Sequence, residues 1–292
     1  MRHLTDDDVE RALAGADIEA ALRAAFVDLA LGRAAQQPRM RTEAGGVKLS
    51  TLGGVVPSQG VAGAKVYTTI AGRFDFVIVL FSTADGRPIA TLEANAVTRR
   101  RTAAVSLVAA RAARLGDVSS IVVFGTGVQA KAHAEAFTQA YPGAHLRMLG
   151  RPELAQAREA LAAAQVVVTA TRSTEPLFDG AWLAPGTFVA AVGSSRPDTR
   201  ELDDTAFARA ASVIVEWKPQ ALAEAGDLIR LAPPLRARLR IVELGEVLAG
   251  QARARTSPGD IVVFKSVGVG IEDVVVAGLA CGKAPESPVH LR

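Results

Sequence analysis

The hydrophobic and polar positions follow two different rhythms along the chain, and the change comes near residue 118. In the first part an amphipathic helix is predicted after Asp17, because apolar residues recur there at the spacing of one helix face: Ile18, Leu22, Ala25, Phe26 and Leu29. Thr5, with Asp8 three residues later, resembles the capping box of an earlier helix.

The rest of the first part is rich in residues that favour strands. Strands are predicted over three such runs: 46–52, 61–70 and 75–81. Asp85-Gly86 predicts a hairpin turn into a further strand over 89–94. Thr98 is predicted to begin a helix that Gly116 closes. The first part is therefore expected to be an α+β region with a mainly antiparallel sheet.

A strand–turn–helix rhythm begins at residue 119. Six apolar runs there predict short parallel strands: 119–124, 146–150, 166–171, 187–193, 212–217 and 261–268. Only one helix separates the second run from the third, so we predict a Rossmann-type doubly wound sheet shortened by one β-α unit. The α/β chain is accordingly divided into an α+β domain, 1–117, and a Rossmann dinucleotide-binding domain that begins at residue 118.

The glycine turn GTGVQA, residues 125–130, lies between the first of these strands and a helix. In that context Gly125 permits the tight turn, Gly127 lets the backbone approach a pyrophosphate, and Ala130 allows close packing of helix and sheet. The phosphates would then lie at the helix N-terminus, where unpaired N–H groups favour anions. The alternative is an ordinary strand–helix turn that uses glycine for its geometry alone.

The residue that would contact the adenosine ribose points to the choice of cofactor. Enzymes that use NAD carry Asp or Glu at the end of the second strand, whereas this sequence has Gly150 followed by Arg151. Because an arginine can accommodate a 2′-phosphate, the sequence favours NADPH over NADH, although NADH stays possible. Arg151 could instead be a solvated loop residue.

Composition excludes several classes of function. The chain has 292 residues and a formal net charge of only +3, and its one basic cluster is Arg99–Arg101. Since a nucleic-acid surface needs a longer basic stripe with aromatic residues, no nucleic-acid partner is expected. The apolar runs are too short for a membrane span, and the polar N-terminus is unlike a signal peptide.

Cysteine and histidine usage points in the same direction. Cys281 is the only cysteine, so we expect neither a disulfide framework nor a cysteine metal site, and we expect a cytoplasmic protein. No metal is expected, because the four histidines are not clustered at ligand spacing: His3, His133, His145 and His290.

A series of blocks resembles the ornithine cyclodeaminase/mu-crystallin family over nearly the whole chain. The blocks are, in order, 63–69, 98–104, 125–130, 166–171, 192–202, 216–228, 243–250 and 264–273. The resemblance implies that residues 268–292 complete the α+β domain and that the Rossmann domain spans 118–267. It also implies a homodimer in which the α+β domain binds substrate and forms the dimer, with the active site in the cleft beside the Rossmann domain.

The family's carboxylate-binding side chains fall on Arg39, Lys65 and Arg101. A planar guanidinium and a compact ammonium both suit a substrate carboxylate. Arg39 could be a solvated loop residue, and Arg101 could end a solvated basic stretch. Lys65 has apolar neighbours, and a buried lysine requires a partner. Basic residues near a helix start also predict a nearby anion.

The resemblance assigns cofactor contacts across the chain. Thr102 is implied as a contact to the diphosphate, and Ser266 and Val267 as contacts to the nicotinamide. The remaining predicted cofactor residues are Gly125, Thr126, Gly127, Val128, Gln129, Arg151, Thr171, Val192 and Gly193.

Ser195 decides between chemistries within the family. Family cyclodeaminases have an aspartate at this position, and a serine hydroxyl is not a base near neutral pH. Asp198 follows Pro197 and is not expected to restore that geometry. The run from Ser194 to Asp198 resembles the ketimine reductases of the family. We therefore predict an NAD(P)H-dependent oxidoreductase of proline metabolism that acts on CH–NH bonds and reduces cyclic ketimine carboxylates.

In this hypothesis Δ1-pyrroline-2-carboxylate gives L-proline and Δ1-piperideine-2-carboxylate gives L-pipecolate. Lys65 or a water donates the proton, and Ser195 hydrogen-bonds the ring nitrogen. The alternatives are an ornithine cyclodeaminase or amino-acid dehydrogenase of the same family, and a non-catalytic NADPH-binding protein. Because Lys65 and Arg101 are both present, the sequence does not favour the last of these.

Overall fold

The computed structural model describes residues 1–283, so His290 and the last nine residues of the predicted completing segment, 284–292, lie outside the described residues. The chain forms two compact units: residues 1–105 with the segment from Val269 onward, and residues 106–268. This division falls earlier than the predicted boundary at 118, inside a helix that the sequence assigned entirely to the first domain.

The helices and strands have the following bounds. The helices are α1 Asp6–Ala12, α2 Ile18–Ala30, α3 Asn95–Ala112, α4 Val128–Ala140, α5 Ala157–Leu161, α6 Asp204–Arg209, α7 Lys218–Glu224, α8 Gly226–Ile229, α9 Pro233–Arg238, α10 Leu244–Leu248 and α11 Gly270–Ala280. The strands are β1 Arg2–Leu4, β2 Ala35–Gln36, β3 Met40–Ala44, β4 Val47–Val56, β5 Val61–Ile70, β6 Arg73–Ser82, β7 Pro88–Glu93, β8 Ser120–Phe124, β9 His145–Leu149, β10 Val166–Thr169, β11 Phe188–Ala191, β12 Ala210–Val215, β13 Ile241–Glu243 and β14 Ile261–Lys265. Short 3₁₀ helices lie at Pro57–Gln59, Leu154–Gln156 and Gly180–Trp182.

The first unit is built on one twisted sheet with the strand order β1-β7-β6-β5-β4-β2, and β3 pairs with β4. Its strands are antiparallel, as predicted, except that β1 runs parallel to β7. Helix α11 packs on the inner face of β4 and β5 and against α2. At the closest approach, a Cβ on Gly270 would lie 2.5 Å from the backbone of Gly53, so only glycine fits there.

Helix α3 departs from the prediction at both ends. It begins at Asn95 rather than Thr98, because the Asp6 carboxylate accepts a hydrogen bond from the Ala96 N–H at 2.8 Å and so caps the helix from a distant part of the sequence. It ends at Ala112 rather than at Gly116, and Arg114 follows with a φ of 50° in the left-handed region.

The second unit contains a fully parallel sheet with the order β13-β12-β14-β11-β10-β8-β9. The predicted Rossmann-type sheet is confirmed, and β9 is an edge strand because the predicted loss of one β-α unit falls beyond it. The three-residue strand β13 was not predicted. Each central strand reads as a continuous apolar run because helices such as α4 and α6 cover the sheet.

The parallel arrangement brings the carboxyl ends of β8, β10, β11 and β14 to one edge of the sheet. Ligands of open α/β sheets bind at this edge. Within the described part of the chain, no helix is both long and apolar enough to cross a membrane.

Candidate active site

A buried ion pair lies on the inner face of the first unit's sheet. Lys65 on β5 is only 3% exposed. Its ammonium lies 2.8 Å from each carboxylate oxygen of Asp273 on α11, and it also donates to the Thr98 hydroxyl at 3.3 Å. The Phe76 ring lies beside the same ammonium, with 4.9 Å between Nζ and the ring centroid.

Arg101 on α3 joins this pair and makes a four-membered cluster. Its Nε donates to Asp273 at 3.1 Å, and its Nη1 donates to Glu272 at 2.6 Å. The structure therefore brings together two of the three predicted carboxylate-binding residues. Two cations face two carboxylates, so these four residues alone have no excess charge.

Arg39 lies half-buried between β2 and β3 and acts electrostatically on the same cluster. Its charge lowers the pKa of both Lys65 and Asp273. Arg39 is thus a third cation whose charge acts on the cluster, and cationic side chains of this kind suit a carboxylate ligand.

Burial lowers the pKa of Lys65 to about 8, because the charged ammonium loses its hydration. Asp273 opposes this change, whereas Arg101 and Arg39 add to it. Burial also acts to raise the pKa of Asp273, but Lys65 and Arg101 outweigh it and hold that pKa below its usual value. Asp273 is therefore a carboxylate at neutral pH, while Lys65 can exchange its proton near pH 8.

Sequence reasoning gave no role to Glu272 and Asp273. Both are fully buried on an otherwise apolar helix, and two adjacent acids in such a helix need cationic partners. That signal was visible in the segment VGVGIEDVVVAG, but the pattern does not say which cations meet them.

The basic run Arg99–Arg101 is divided between two roles. Arg99 and Arg100 both form ion pairs with Glu10 on α1. Carboxylates of the chain therefore lie beside all three arginines: Glu10 beside two of them, and Glu272 with Asp273 beside the third.

The glycine turn of the second unit has the geometry of a phosphate-binding loop. Gly125 has a φ of 117°, and a Cβ there would lie 2.7 Å from the Ala170 carbonyl oxygen. A Cβ on Gly127 would meet nothing within 4 Å, and no side chain caps the N-terminus of α4. Ala130 is buried under the turn. An open approach to uncapped N–H groups fits a dinucleotide pyrophosphate.

The other predicted cofactor residues are placed as follows. Around the turn, Thr126 and Val128 are exposed and Gln129 is half-buried. Arg151 is exposed just beyond β9. Thr102 is buried in the first unit, where its hydroxyl donates to the Thr98 carbonyl at 2.6 Å.

Glu201 organises two loops at the carboxyl edge of the sheet, a role that the sequence did not reveal. Its buried carboxylate accepts hydrogen bonds from the Thr171 N–H at 2.7 Å, the Gly193 N–H at 2.8 Å and the Ser194 N–H at 3.2 Å. The hydroxyls of Thr169 and Thr171 donate to it as well. One side chain thereby fixes the ends of β10 and β11.

Two further charged residues complete this buried network. Asp227 accepts from the N–H groups of Glu201 and Leu202, and its carboxylate lies 2.9 Å from the Lys265 ammonium. Burial raises the pKa of Glu201; Lys265 lowers it and Asp227 raises it further. Lys265 therefore forms an ion pair with Asp227 and acts on Glu201 through its charge.

Glu216, like Glu201, accepts hydrogen bonds from loop N–H groups, here just after the end of β14. Its carboxylate accepts from the N–H groups of Val267 and Gly268, each at 3.0 Å, and from the Ser266 hydroxyl. The predicted nicotinamide contacts Ser266 and Val267 are thus held by a buried carboxylate. Val192 is half-buried and donates its N–H to Thr169 at 2.9 Å.

The loop after β11 separates its two serines. Ser194 is buried and donates to the Thr199 carbonyl at 2.9 Å, whereas Ser195 is half-buried and makes no hydrogen bond within the described residues. Asp198 is exposed and forms an ion pair with Arg196. The Asp198 carboxylate is therefore engaged by the arginine two residues before it along the loop.

A model of the ornithine cyclodeaminase/mu-crystallin family matches residues 2–158 and 153–287. The chain belongs to this family. Among curated relatives, the ketimine reductase mu-crystallin of Mus musculus is 35% identical over 218 residues, which are 69% of this chain and 67% of that protein.

Two solved structures of the family cover almost the whole chain. The probable ornithine cyclodeaminase of Bordetella pertussis Tohama I is 49% identical, with a TM-score of 0.88 and 96% of each chain covered. The Thermococcus litoralis Δ1-pyrroline-2-carboxylate reductase, solved with NADH and L-proline, is 26% identical, with a TM-score of 0.82 and 97% of each chain covered. The predicted family is confirmed.

Changing Glu201 to Ala should loosen the two loops that it joins. The variant leaves three backbone N–H groups and the hydroxyls of Thr169 and Thr171 without this acceptor, so we expect about 2–4 kcal/mol less free energy of unfolding. Hydrogen exchange at Thr171, Gly193 and Ser194 should accelerate at least tenfold (about 1.4 kcal/mol). The exposed Asp198→Asn variant serves as control and should stay within about 0.5 kcal/mol. Unchanged exchange at the three amides would contradict this role.

Proposed function

We propose that this enzyme reduces cyclic ketimine carboxylates with a nicotinamide cofactor, converting Δ1-pyrroline-2-carboxylate to L-proline and Δ1-piperideine-2-carboxylate to L-pipecolate. The observation that carries the proposal is the buried cluster of Lys65 and Arg101, on which the charge of Arg39 also acts. The phosphate-binding turn of the second unit and the two reductases among the relatives support it.

In this proposal the cluster binds the substrate carboxylate. The ammonium of Lys65, held by Asp273 and Thr98, is the compact charge that would lie beside a substrate oxygen. Arg39 would add a guanidinium to the side chains that bind the substrate carboxylate. Because Asp273 and Glu272 hold Lys65 and Arg101 in place, the carboxylate meets preorganised donors.

Proton transfer would use the same lysine. The nicotinamide, when bound, supplies a hydride to the imine carbon. A pKa of about 8 lets Lys65 donate a proton to the nitrogen near neutral pH, where an ordinary lysine would hold it too firmly. Ser195, with no partner in the described chain, would hydrogen-bond the ring nitrogen. These four residues are the catalytic residues that we propose: Arg39, Lys65, Arg101 and Ser195.

Ornithine cyclodeamination is the alternative activity, because the Bordetella relative bears that name with 49% identity. The site argues against it at one position. Ser195 provides no carboxylate, and the nearest acid along the loop, Asp198, is exposed and paired with Arg196. Deamination would lack the base beside the substrate amine.

Homodimer formation is also proposed. The outer face of the first unit's sheet carries exposed apolar side chains on three adjacent strands: Val47, Leu49, Val55, Ile70, Val77 and Phe81. A contiguous apolar face of this kind is typical of a protein–protein interface. A second copy of the chain would cover it.

The substrate is tested by following NADH and NADPH oxidation with Δ1-pyrroline-2-carboxylate and Δ1-piperideine-2-carboxylate, and ammonia release from L-ornithine in the presence of NAD. We expect reduction of both ketimines and no ammonia from ornithine. Lys65→Met should lower kcat/KM at least about a thousandfold, since it removes both a carboxylate contact and the proton donor, while cofactor affinity is retained. Faster ammonia release than ketimine reduction would reverse the assignment.

The pH dependence follows from the lowered pKa of Lys65. The protonated lysine is the active form, so kcat/KM for reduction should be maximal below about pH 8 and fall about tenfold per pH unit above it. The arginine of Lys65→Arg stays protonated in this range, so any activity that the variant retains should not fall above pH 8. If kcat/KM of the arginine variant still falls above pH 8 as in the parent chain, the fall is due to titration of the substrate and not of Lys65.

Placing a charge on the exposed sheet face should dissociate the dimer. Val77→Glu introduces a carboxylate that dimer formation would have to dehydrate, so sedimentation should show a monomer at concentrations where the parent chain is dimeric. Leu222→Glu, at an equally exposed site in the other unit, should leave the dimer intact. A parent chain that is monomeric throughout would rule the proposal out.

A further inference from the structure

Beyond β9 the chain folds back and brings the side chain of Glu153 to the end of that strand. The backbone N–H of Gly150 donates to Oε2 of Glu153 at 2.9 Å. A Cβ at residue 150 would lie 2.9 Å from that oxygen and 3.1 Å from Cγ2 of Thr126 in the glycine turn. The Glu153 carboxylate therefore lies at the end of the second strand, next to the phosphate-binding loop.

A tight turn produces this placement. The Glu153 N–H donates to the Gly150 carbonyl at 3.2 Å, and the 3₁₀ helix Leu154–Gln156 begins immediately afterwards. Glycine at 150 leaves room for the returning carboxylate, since a side chain would contact both Glu153 and Thr126. Gly150 thus admits an acidic group from three residues downstream.

We propose that Glu153 binds the adenosine ribose 2′-hydroxyl and makes the chain select NADH over NADPH. This inference rests on the proposed function, because it requires that the second unit bind a nicotinamide dinucleotide. In Rossmann domains the acid that contacts the ribose lies at the end of the second strand, the position that the Glu153 carboxylate reaches. Within the described residues its second oxygen, Oε1, accepts no hydrogen bond, so it can accept one from a ribose hydroxyl.

The same carboxylate opposes a 2′-phosphate. A phosphate monoester carries a charge between −1.5 and −2 at pH 7, and a carboxylate at hydrogen-bonding distance from the ribose repels it. Arg151 is exposed, and within the described residues it makes no ion pair with Glu153. The prediction of NADPH from the pair Gly150-Arg151 remains untested, but it assumed that no acid was present at this position.

Cofactor binding tests the inference without any turnover. Dissociation constants for NADH and NADPH are measured by fluorescence titration of the parent chain and of Glu153→Gln, which keeps an oxygen to accept from the Gly150 N–H. We expect the parent chain to bind NADH at least about tenfold more tightly, and the variant to shift the ratio toward NADPH by about tenfold or more. Glu159→Gln removes an exposed acid from α5 as a matched control and should leave the ratio unchanged.

Other outcomes separate this inference from the proposed function. A parent chain that prefers NADPH, with Glu153→Gln weakening both cofactors equally and Arg151→Ala weakening NADPH alone, would overturn the role of Glu153. The parent chain could instead prefer NADH, lose that preference in Glu153→Gln and reduce no cyclic ketimine. This result would support the role of Glu153 and refute only the proposed substrate. Binding of neither cofactor would refute both.

Discussion

The ion pair between Lys65 and Asp273 is the interaction on which the first unit depends. An ammonium buried on a sheet face is stable only with a compensating charge at hydrogen-bonding distance. Here that charge comes from a residue 208 positions away. The pair therefore fixes α11 on the inner face of β4 and β5, where Gly270 approaches Gly53 closely. It also positions Arg101, because the same carboxylate accepts from both cations.

In the second unit, buried carboxylates are compensated mainly by backbone N–H groups. Glu201 and Glu216 are buried carboxylates whose hydrogen bonds come largely from N–H groups of the loops that follow β10, β11 and β14. Each carboxylate accepts hydrogen bonds from more than one donor and so holds these loop residues together. Removal of the carboxylate would leave several buried donors without an acceptor. Both units thus use a buried acid to hold the residues expected to meet the ligand.

Much of this organisation was visible in the sequence, for identifiable physical reasons. Local periodicity predicted the Rossmann-type sheet, its glycine turn and the helix after Asp17, since each depends on residues close together in the chain. The start of α3 was missed because its cap, Asp6, lies in another helix. Asp273 and Glu201 were missed for the same reason, since sequence shows that a buried charge needs a partner but not which one. The position of the Glu153 carboxylate was not predicted, because a turn brings it back to the end of β9 from three residues downstream.

The first unit is assembled from two segments that flank the second unit in the sequence, and this order has a consequence for synthesis on the ribosome. Residues 106–268 can complete their sheet as soon as β14 emerges, because all seven of its strands are then available. Residues 1–105 emerge earlier but lack α11, so Lys65 has no carboxylate partner until residue 273 has been added. The first-made part of the protein is therefore the last to close, and its sheet must remain without a finished core throughout most of translation.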